Sequence, residues 1–145
     1  METVVKKFNE LTTDELYEIL KARAAIFVVE QNCAYQDLDG KDKESYHVFL
    51  RDSDGISAYL RVIPRGLVCD TPVIGRVITV KRGVGLGSVL LREGIEVARD
   101  RLGAKCITIS AQSYAIGFYE KSGFRVVSEE YLEDGIPHVR MICEL

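Results

Sequence analysis

The stretch from Val73 to Ser88 constrains the fold of this chain more than any other part of it. Its first half, Val73 to Val80, is β-branched and apolar with a single charge, which is typical of a buried or half-buried strand. From Arg82 to Gly87 every second residue is glycine, so the backbone is expected to leave the strand there. Apolar residues then recur at helical spacing up to Leu102. The sequence therefore predicts a strand, a glycine loop and a helix in succession.

This unit favours an anion at the start of its helix. The first amides of a helix lack partners within it, and the helix dipole attracts negative charge to that end, most often a phosphate. Two well-known phosphate-binding loop motifs do not match this sequence. A P-loop would have lysine after Gly87, where Ser88 stands, and a dinucleotide fingerprint would need glycine at Ser88 or at Leu90. The pattern that does fit is Arg82-x-x-Gly85-x-Gly87.

Length and composition limit the classes of protein to which this chain can belong. The 145 residues suit one domain over residues 1–145, and 47% hydrophobic with 28% charged residues is ordinary for a globular protein. A net charge of -3 gives no reason to expect nucleic acid or an anionic membrane as a partner. The chain has no apolar run of transmembrane length and no basic start followed by an apolar core. Cys106 and Cys143 lie in apolar strand-like runs, which indicates free thiols in a reducing compartment and predicts a cytoplasmic protein.

The predicted element order is β-α-β-β-β-α-β-α-β-β, an α/β fold with an α+β type of mixed sheet in one domain. Thr12 is a natural N-cap with Glu15 completing a capping box, and Gly123 is a natural left-handed cap for a short helix over residues 113–122. The first helix is expected to run to about Val29. The predicted strands cover residues 3–8, 46–51, 56–63, 73–80, 105–110, 124–131 and 138–144.

The segment over residues 30–45 lacks periodicity and is rich in acidic residues. A loop of that length is often a binding loop or a lid. Its acidic residues can equally form a solvated face, and the composition favours that second interpretation.

A second motif accompanies the glycine loop. Ala115 is followed by Phe118-Tyr119 and then by Gly123-Phe124, at the end of the short helix. With the element order, these two motifs resemble the GNAT superfamily of acyl-CoA-dependent N-acyltransferases, over nearly the whole chain. The ElaA-type branch of that superfamily is similar in three further segments, residues 27–33, 37–42 and 134–138.

The resemblance implies acetyl-CoA as a co-substrate and a role for each matching residue. The strand over Val77 to Thr79 would offer backbone groups to the pantetheine arm, and the amides of the glycine loop would hold the pyrophosphate. Tyr119 would protonate the departing CoA thiolate, although a tyrosine that merely packs the helix onto the sheet is the alternative. The residues expected to contact acetyl-CoA are Val77, Ile78, Thr79, Arg82, Gly83, Val84, Gly85, Leu86, Gly87, Ser88, Gln112, Phe118 and Tyr119.

In such a reaction a primary amine attacks the thioester directly through a tetrahedral intermediate, so neither a cysteine nucleophile nor a metal is required. An alkyl amine with a pKa of ~10.4 is mostly protonated at neutral pH, so a base must remove that proton. Many GNAT proteins carry a glutamate on the strand before the glycine loop, and this chain does not. Glu30, His47 and His138 remain as candidate bases, and His138 is favoured because it follows Gly135-Ile-Pro on the final hairpin.

Two arginines on adjacent predicted strands, Arg61 and Arg76, admit two interpretations. In the acceptor cleft they would favour an acceptor with an acidic group, and otherwise they belong to an exposed face. The resulting prediction is an N-acetyltransferase, monomer or homodimer, acting on a small-molecule or peptide amine. The alternative is a non-catalytic acyl-CoA-binding or regulatory module on the same fold.

Overall fold

One mixed sheet organises the fold, with strands in the spatial order β1-β2-β3-β4-β5-β8-β6 and with β7 paired to β8. The computed structural model describes all 145 residues. Every neighbouring pair is antiparallel except β4 and β5. The strands are β1 (Glu2–Lys7), β2 (Tyr46–Asp52), β3 (Gly55–Ile63), β4 (Val73–Thr79), β5 (Cys106–Gln112), β6 (Arg125–Val126), β7 (Tyr131–Glu133) and β8 (Ile136–Glu144). The α-helices are α1 (Thr13–Arg23), α2 (Leu86–Leu102) and α3 (Ile116–Glu120).

The two longer helices cover opposite faces of the sheet. Side chains alternate between faces along a strand, so adjacent Tyr59 and Leu60 contribute to different cores. Leu60 meets α2 at Gly94, where an added Cβ would lie 2.9 Å from a methyl group of the leucine, so a larger residue there would force Leu60 to shift. Tyr59 joins Ile19 of α1 in the smaller core. No helix has both the length and the apolar character needed to cross a membrane.

The sheet opens between β4 and β5. These two parallel strands pair only at Val73 with Thr108, near the start of β4. The register of β4 against β3 also shifts by one residue between Tyr59 and Arg61. Such a bulge bends the strand that carries the extra residue. The divergence leaves a gap between the carboxyl ends of β4 and β5, next to the start of α2.

Local signals for helix ends are confirmed. The Thr12 hydroxyl accepts from the Glu15 amide at 3.1 Å, and the Glu15 carboxylate accepts from the Thr12 amide at 2.8 Å. Gly123 has a φ of 99°. The first helix changes form before its predicted end, because α1 stops at Arg23 and Ala24–Glu30 is a π-helix.

The prediction of a single strand over residues 124–131 is wrong. The chain forms two short strands there, β6 and β7, so the sheet has eight strands. Between them the Ser128 hydroxyl accepts the Arg140 amide of β8 at 2.8 Å. A side chain therefore replaces a backbone carbonyl in the ladder and interrupts the strand.

The acidic segment over residues 30–45 is not a solvated face. Asp37 and Asp42 are buried, and the Arg23 guanidinium, fully buried on α1, binds Asp37 at 3.0 Å and Asp42 at 2.7 Å. Arg61 binds Asp39 at 2.6 Å and Asp42 at 3.0 Å. The segment is thus held to α1 and the sheet by buried ion pairs, because buried arginines need carboxylate partners.

The candidate base His47 belongs to this buried cluster. Its Nε2 donates to the Asp42 carbonyl at 2.9 Å, and its Nδ1 accepts from the Tyr59 hydroxyl at 2.7 Å. With both ring nitrogens bonded and the side chain fully buried, His47 has a structural role.

We expect the free energy of unfolding to fall as the solution is acidified. Burial alone would raise the pKa of Asp39 and Asp42, but hydrogen bonds and charge from Arg61 and Arg23 outweigh it and hold the pKa of both carboxyls below its usual value. The unfolded carboxyls bind protons near pH ~3.9, so this stabilisation is present above that pH and is lost as the pH falls through the folded-state pKa.

His47 contributes in the same direction. Burial lowers the pKa of its imidazole, so the unfolded chain takes up that proton first, near pH ~6.5. Urea unfolding at several pH values should show a midpoint that declines gently below pH ~6.5 and steeply below pH ~4. A midpoint that is constant from pH 7 down to pH ~4 would contradict this account of the cluster.

Candidate functional site

A large cleft of about 1220 Å³ lies where β4 and β5 diverge. Its walls come from β4, β5, the start of α2, α3, the π-helix and the β7–β8 turn. Of the residues predicted to contact acetyl-CoA, Val84 does not line the cleft. The others do: Val77, Ile78, Thr79, Arg82, Gly83, Gly85, Leu86, Gly87, Ser88, Gln112, Phe118 and Tyr119.

The glycine loop forms the end of the cleft at α2. Gly85 is the N-cap of α2 with a φ of 74°, and Gly83 has a φ of 78°, a backbone region where side chains are strained. Gly87 packs so closely that an added Cβ would lie 3.1 Å from the Phe118 ring. No side chain caps the helix start, so its first amides are available to an anion.

Glu30 lies beside this loop. Its carboxylate pairs with the Arg82 guanidinium at 2.6 Å, and both side chains are about half exposed. The candidate base therefore faces the predicted pyrophosphate-binding arginine.

The residues after the π-helix bridge the cleft. Gln31 and Gln112 exchange amide hydrogen bonds of 3.1 and 3.5 Å. The Cys33 thiol donates to the Asp134 carbonyl at 3.4 Å. Gln112, predicted to contact pantetheine, is thus engaged by Gln31 on the opposite wall.

Tyr119 lines the cleft between two aromatic rings, with centroids 5.1 Å away at Phe118 and 5.9 Å away at Phe124. Burial, with a smaller contribution from Tyr114, raises the pKa of Tyr119 to about 12. The phenol is therefore protonated at neutral pH, and its hydroxyl can act toward the cleft as a hydrogen-bond donor.

His138 presents one ring nitrogen to the cleft. The side chain is buried, and Nδ1 lies 2.7 Å from the Ile136 carbonyl, so Nδ1 carries the proton. In the neutral ring Nε2 then has a free lone pair. The Glu133 carboxylate lies 3.4 Å from this nitrogen. A proton arriving at Nε2 would therefore be stabilised by an adjacent negative charge.

Sequence reasoning missed the residues that surround His138. Ser110 on β5 donates to Glu133 at 3.2 Å, and its hydroxyl also bonds to that of Tyr131. The Tyr131 ring stacks on the imidazole at 6.2 Å between centroids. Ser110 and Gln112 lie on one face of β5, which extends two residues beyond its predicted end. Only the pairing of β5 with β8 and of β8 with β7 joins them to His138 and Glu133.

Arg61 and Arg76 lie in the cleft, so the interpretation as an exposed face is wrong. However, Arg61 is buried between Asp39 and Asp42, and Arg76 pairs with Asp37 at 2.7 Å. Their positive charges are neutralised within the protein. They therefore give no reason to expect an acidic group on the acceptor.

A family model described as acetyltransferase (GNAT) domain matches residues 12–145. A UPF0039 protein of Schizosaccharomyces pombe is 41% identical, with alignment over 100% of this chain and 98% of its own. The protein ElaA of Escherichia coli is 38% identical over 94% of this chain and 92% of its own. Its crystal structure superposes with a TM-score of 0.92 at 37% identity, covering 99% and 100% of the two chains. An acyl-CoA N-acyltransferase of Pseudomonas aeruginosa matches with a TM-score of 0.91 at 35% identity, over 99% of each chain.

Proposed function

Since this chain belongs to the GNAT acetyltransferase family, with the mixed open sheet of solved N-acyltransferases, we propose that it transfers an acetyl group from acetyl-CoA to a primary amine. One observation supports this proposal above the others. A single cleft contains an unpaired strand edge, a helix start able to bind phosphate, and a phenol and an imidazole suited to proton transfer.

The cleft suits the two ends of CoA. Beyond Val73 the β5 side of β4 has no strand partner, so the backbone of Val77 to Thr79 can pair with the amides of a pantetheine arm. The amides at Leu86, Gly87 and Ser88 would hold the pyrophosphate, favoured by the helix dipole by roughly 0.3–2 kcal/mol. When CoA binds, the Arg82 guanidinium would release the Glu30 carboxylate and bind a phosphate oxygen instead.

The acceptor amine must lose a proton before it attacks the thioester. Deprotonating an amine of pKa ~10.4 at pH ~7 costs roughly 4–5 kcal/mol. We assign this proton to His138 Nε2, with Glu133 stabilising the imidazolium that results. Glu30 stays a less favoured candidate, because it is paired with Arg82 at the phosphate end.

Collapse of the tetrahedral intermediate breaks the carbon–sulfur bond and leaves a thiolate. Tyr119 would donate its hydroxyl proton to that sulfur. Its raised pKa makes it a weaker acid than a free phenol, but the same apolar surroundings also disfavour a thiolate. The aromatic rings on both sides of Tyr119 hold it in place for this step.

Replacing Tyr119 by phenylalanine is expected to lower kcat for acetyl transfer about 100-fold while acetyl-CoA binding is retained, since only the hydroxyl is removed. The assay presents acetyl-CoA with a panel of alkyl amines, amino acids and short peptides. Acetylated products are detected by mass spectrometry, because three of the four free cysteines are partly exposed and would add background in an assay with a thiol reagent. Binding of acetyl-CoA without turnover of any amine would instead support the non-catalytic module, which the missing strand glutamate favours.

Replacing His138 by glutamine is expected to lower kcat for the accepted amine by roughly 10- to 100-fold, since the acceptor proton then has no protein base. The KM for acetyl-CoA should change less than kcat, because His138 is not among the residues predicted to contact acetyl-CoA. Steady-state kinetics with each substrate varied in turn separate the two effects. An unchanged kcat would exclude His138 as the base and return attention to Glu30.

A further inference from the structure

Arg76 has a backbone conformation that its residue type rarely adopts. Three non-glycine residues have positive φ: Asn32 at 50°, Arg76 at 51° and Asp134 at 52°. Asn32 and Asp134 are of the types that tolerate the left-handed region and lie in turns. Arg76 is neither, and it lies within β4. Something in the surrounding structure must hold it there.

The side chain of Arg76 is held from several sides. Its Nε donates to the Asp37 carboxylate at 2.7 Å, and its Nη2 donates to the Asp37 carbonyl at 3.0 Å. The guanidinium also lies over the Tyr35 ring, 5.5 Å from its centroid. Tyr35 itself donates to Asp37 at 3.0 Å.

This clamp is anchored in the core. Asp37 is bound from the other side by the fully buried Arg23 of α1, through its carboxylate at 3.0 Å and its carbonyl at 3.2 Å. A continuous set of contacts therefore leads from α1 through Asp37 to Arg76. Moving Arg76 would require breaking charge-assisted hydrogen bonds to a carboxylate that is itself buried.

The bend at Arg76 sets the shape of the cleft. In a regular strand Ile74 and Ile78 would share a face, yet Ile74 packs in the larger core and Ile78 in the smaller one. The extra residue therefore lies between them, at the register shift opposite Leu60. β4 leaves β5 at this same place, since the two strands pair only at Val73.

We propose that Arg76 is a positioning residue for acyl-CoA: its clamp to Asp37 holds β4 in the left-handed bend that keeps the edge of Val77 to Thr79 free for the pantetheine arm. The inference rests on the proposed function, because it assumes that this edge receives CoA. In this proposal the guanidinium acts through the backbone, because its Nε and Nη2 donors are engaged by Asp37.

Two substitutions at one position test this proposal. Arg76→Ala and Arg76→Gly both remove the guanidinium, so the loss of charge and of ion pairs is the same in each. Glycine adopts positive φ without strain and alanine does not. The dissociation constant of CoA, measured by calorimetry, should rise at least tenfold for Arg76→Ala and stay within about threefold of the original for Arg76→Gly. Circular dichroism and urea unfolding check that both variants are folded.

Each of the other outcomes contradicts a different part of the argument for Arg76 or for CoA binding. Equal weakening in the two variants, or no weakening in either, would overturn the role of the bend. Failure of the unsubstituted protein to bind CoA would instead overturn the proposed function. If both variants fail to fold, the Asp37 clamp is tested by Tyr35→Leu, which removes a half-buried ring that supports it and should raise the dissociation constant of CoA severalfold. Unchanged binding in that variant would also overturn the proposal.

Discussion

Replacing Ser88 by glutamate should weaken CoA binding about 1000-fold, which corresponds to roughly 4 kcal/mol. Ser88 is exposed and is the third residue of α2, directly at the proposed pyrophosphate position. A carboxylate there would occupy the helix start and repel a second anion. The same carboxylate favours the helix, because glutamate at this position interacts well with the amides and dipole of the first turn. Loss of binding should therefore occur in a folded protein.

The matched control is Ser88→Gln, which has the size of glutamate without its charge. Calorimetric titration with CoA should show at most a tenfold loss for glutamine. Equal binding by the glutamate variant and the unsubstituted protein would mean that CoA phosphates do not bind at the start of α2.

Replacing Asp42 by asparagine should lower the free energy of unfolding by about 3–5 kcal/mol. The Asp42 carboxylate accepts from Arg23 at 2.7 and 3.2 Å and from Arg61 at 3.0 Å, and all three side chains are buried. An amide keeps the shape of the carboxylate but removes its charge and turns a donor toward the guanidinium groups. The buried guanidinium groups of Arg23 and Arg61 would then lack a carboxylate charge that balances them.

Asp54→Asn is the control for this substitution. The Asp54 side chain is 77% exposed and pairs only with Lys81, so its replacement should have little effect on stability. Urea unfolding of the three proteins at pH ~7 measures the difference. Similar midpoints for all three would show that the buried ion pairs do not hold the segment over residues 30–45 in place.

Local sequence signals were sufficient to predict most of the fold. The β-branched run at β4, the glycines before α2 and the capping box at Thr12 each act through neighbours within a few residues, and the structure confirms them. The two motifs around Gly85 and Tyr119 led to the correct family for the same reason.

The features that shape the cleft depend on contacts between residues distant in sequence. Asp37 binds Arg23, 14 residues before it, and Arg76, 39 residues after it, so neither pairing leaves a local pattern. Without these partners the acidic segment has the composition of a solvated loop. The bulge at Arg76 could not be predicted from the sequence for the same reason. The cost of its left-handed backbone is offset by a carboxylate from another part of the chain.

A calorimetric comparison of acetyl-CoA with 3′-phospho-ADP tests the central claim that this cleft binds an acyl-CoA along the edge of β4. This nucleotide carries the adenine, the ribose 3′-phosphate and the diphosphate of CoA but no pantetheine arm. If the arm pairs with the backbone of Val77 to Thr79, acetyl-CoA should bind about 100-fold more tightly than 3′-phospho-ADP. Equal affinities, or no heat of binding for acetyl-CoA, would contradict the claim and leave the opening between β4 and β5 without the proposed function.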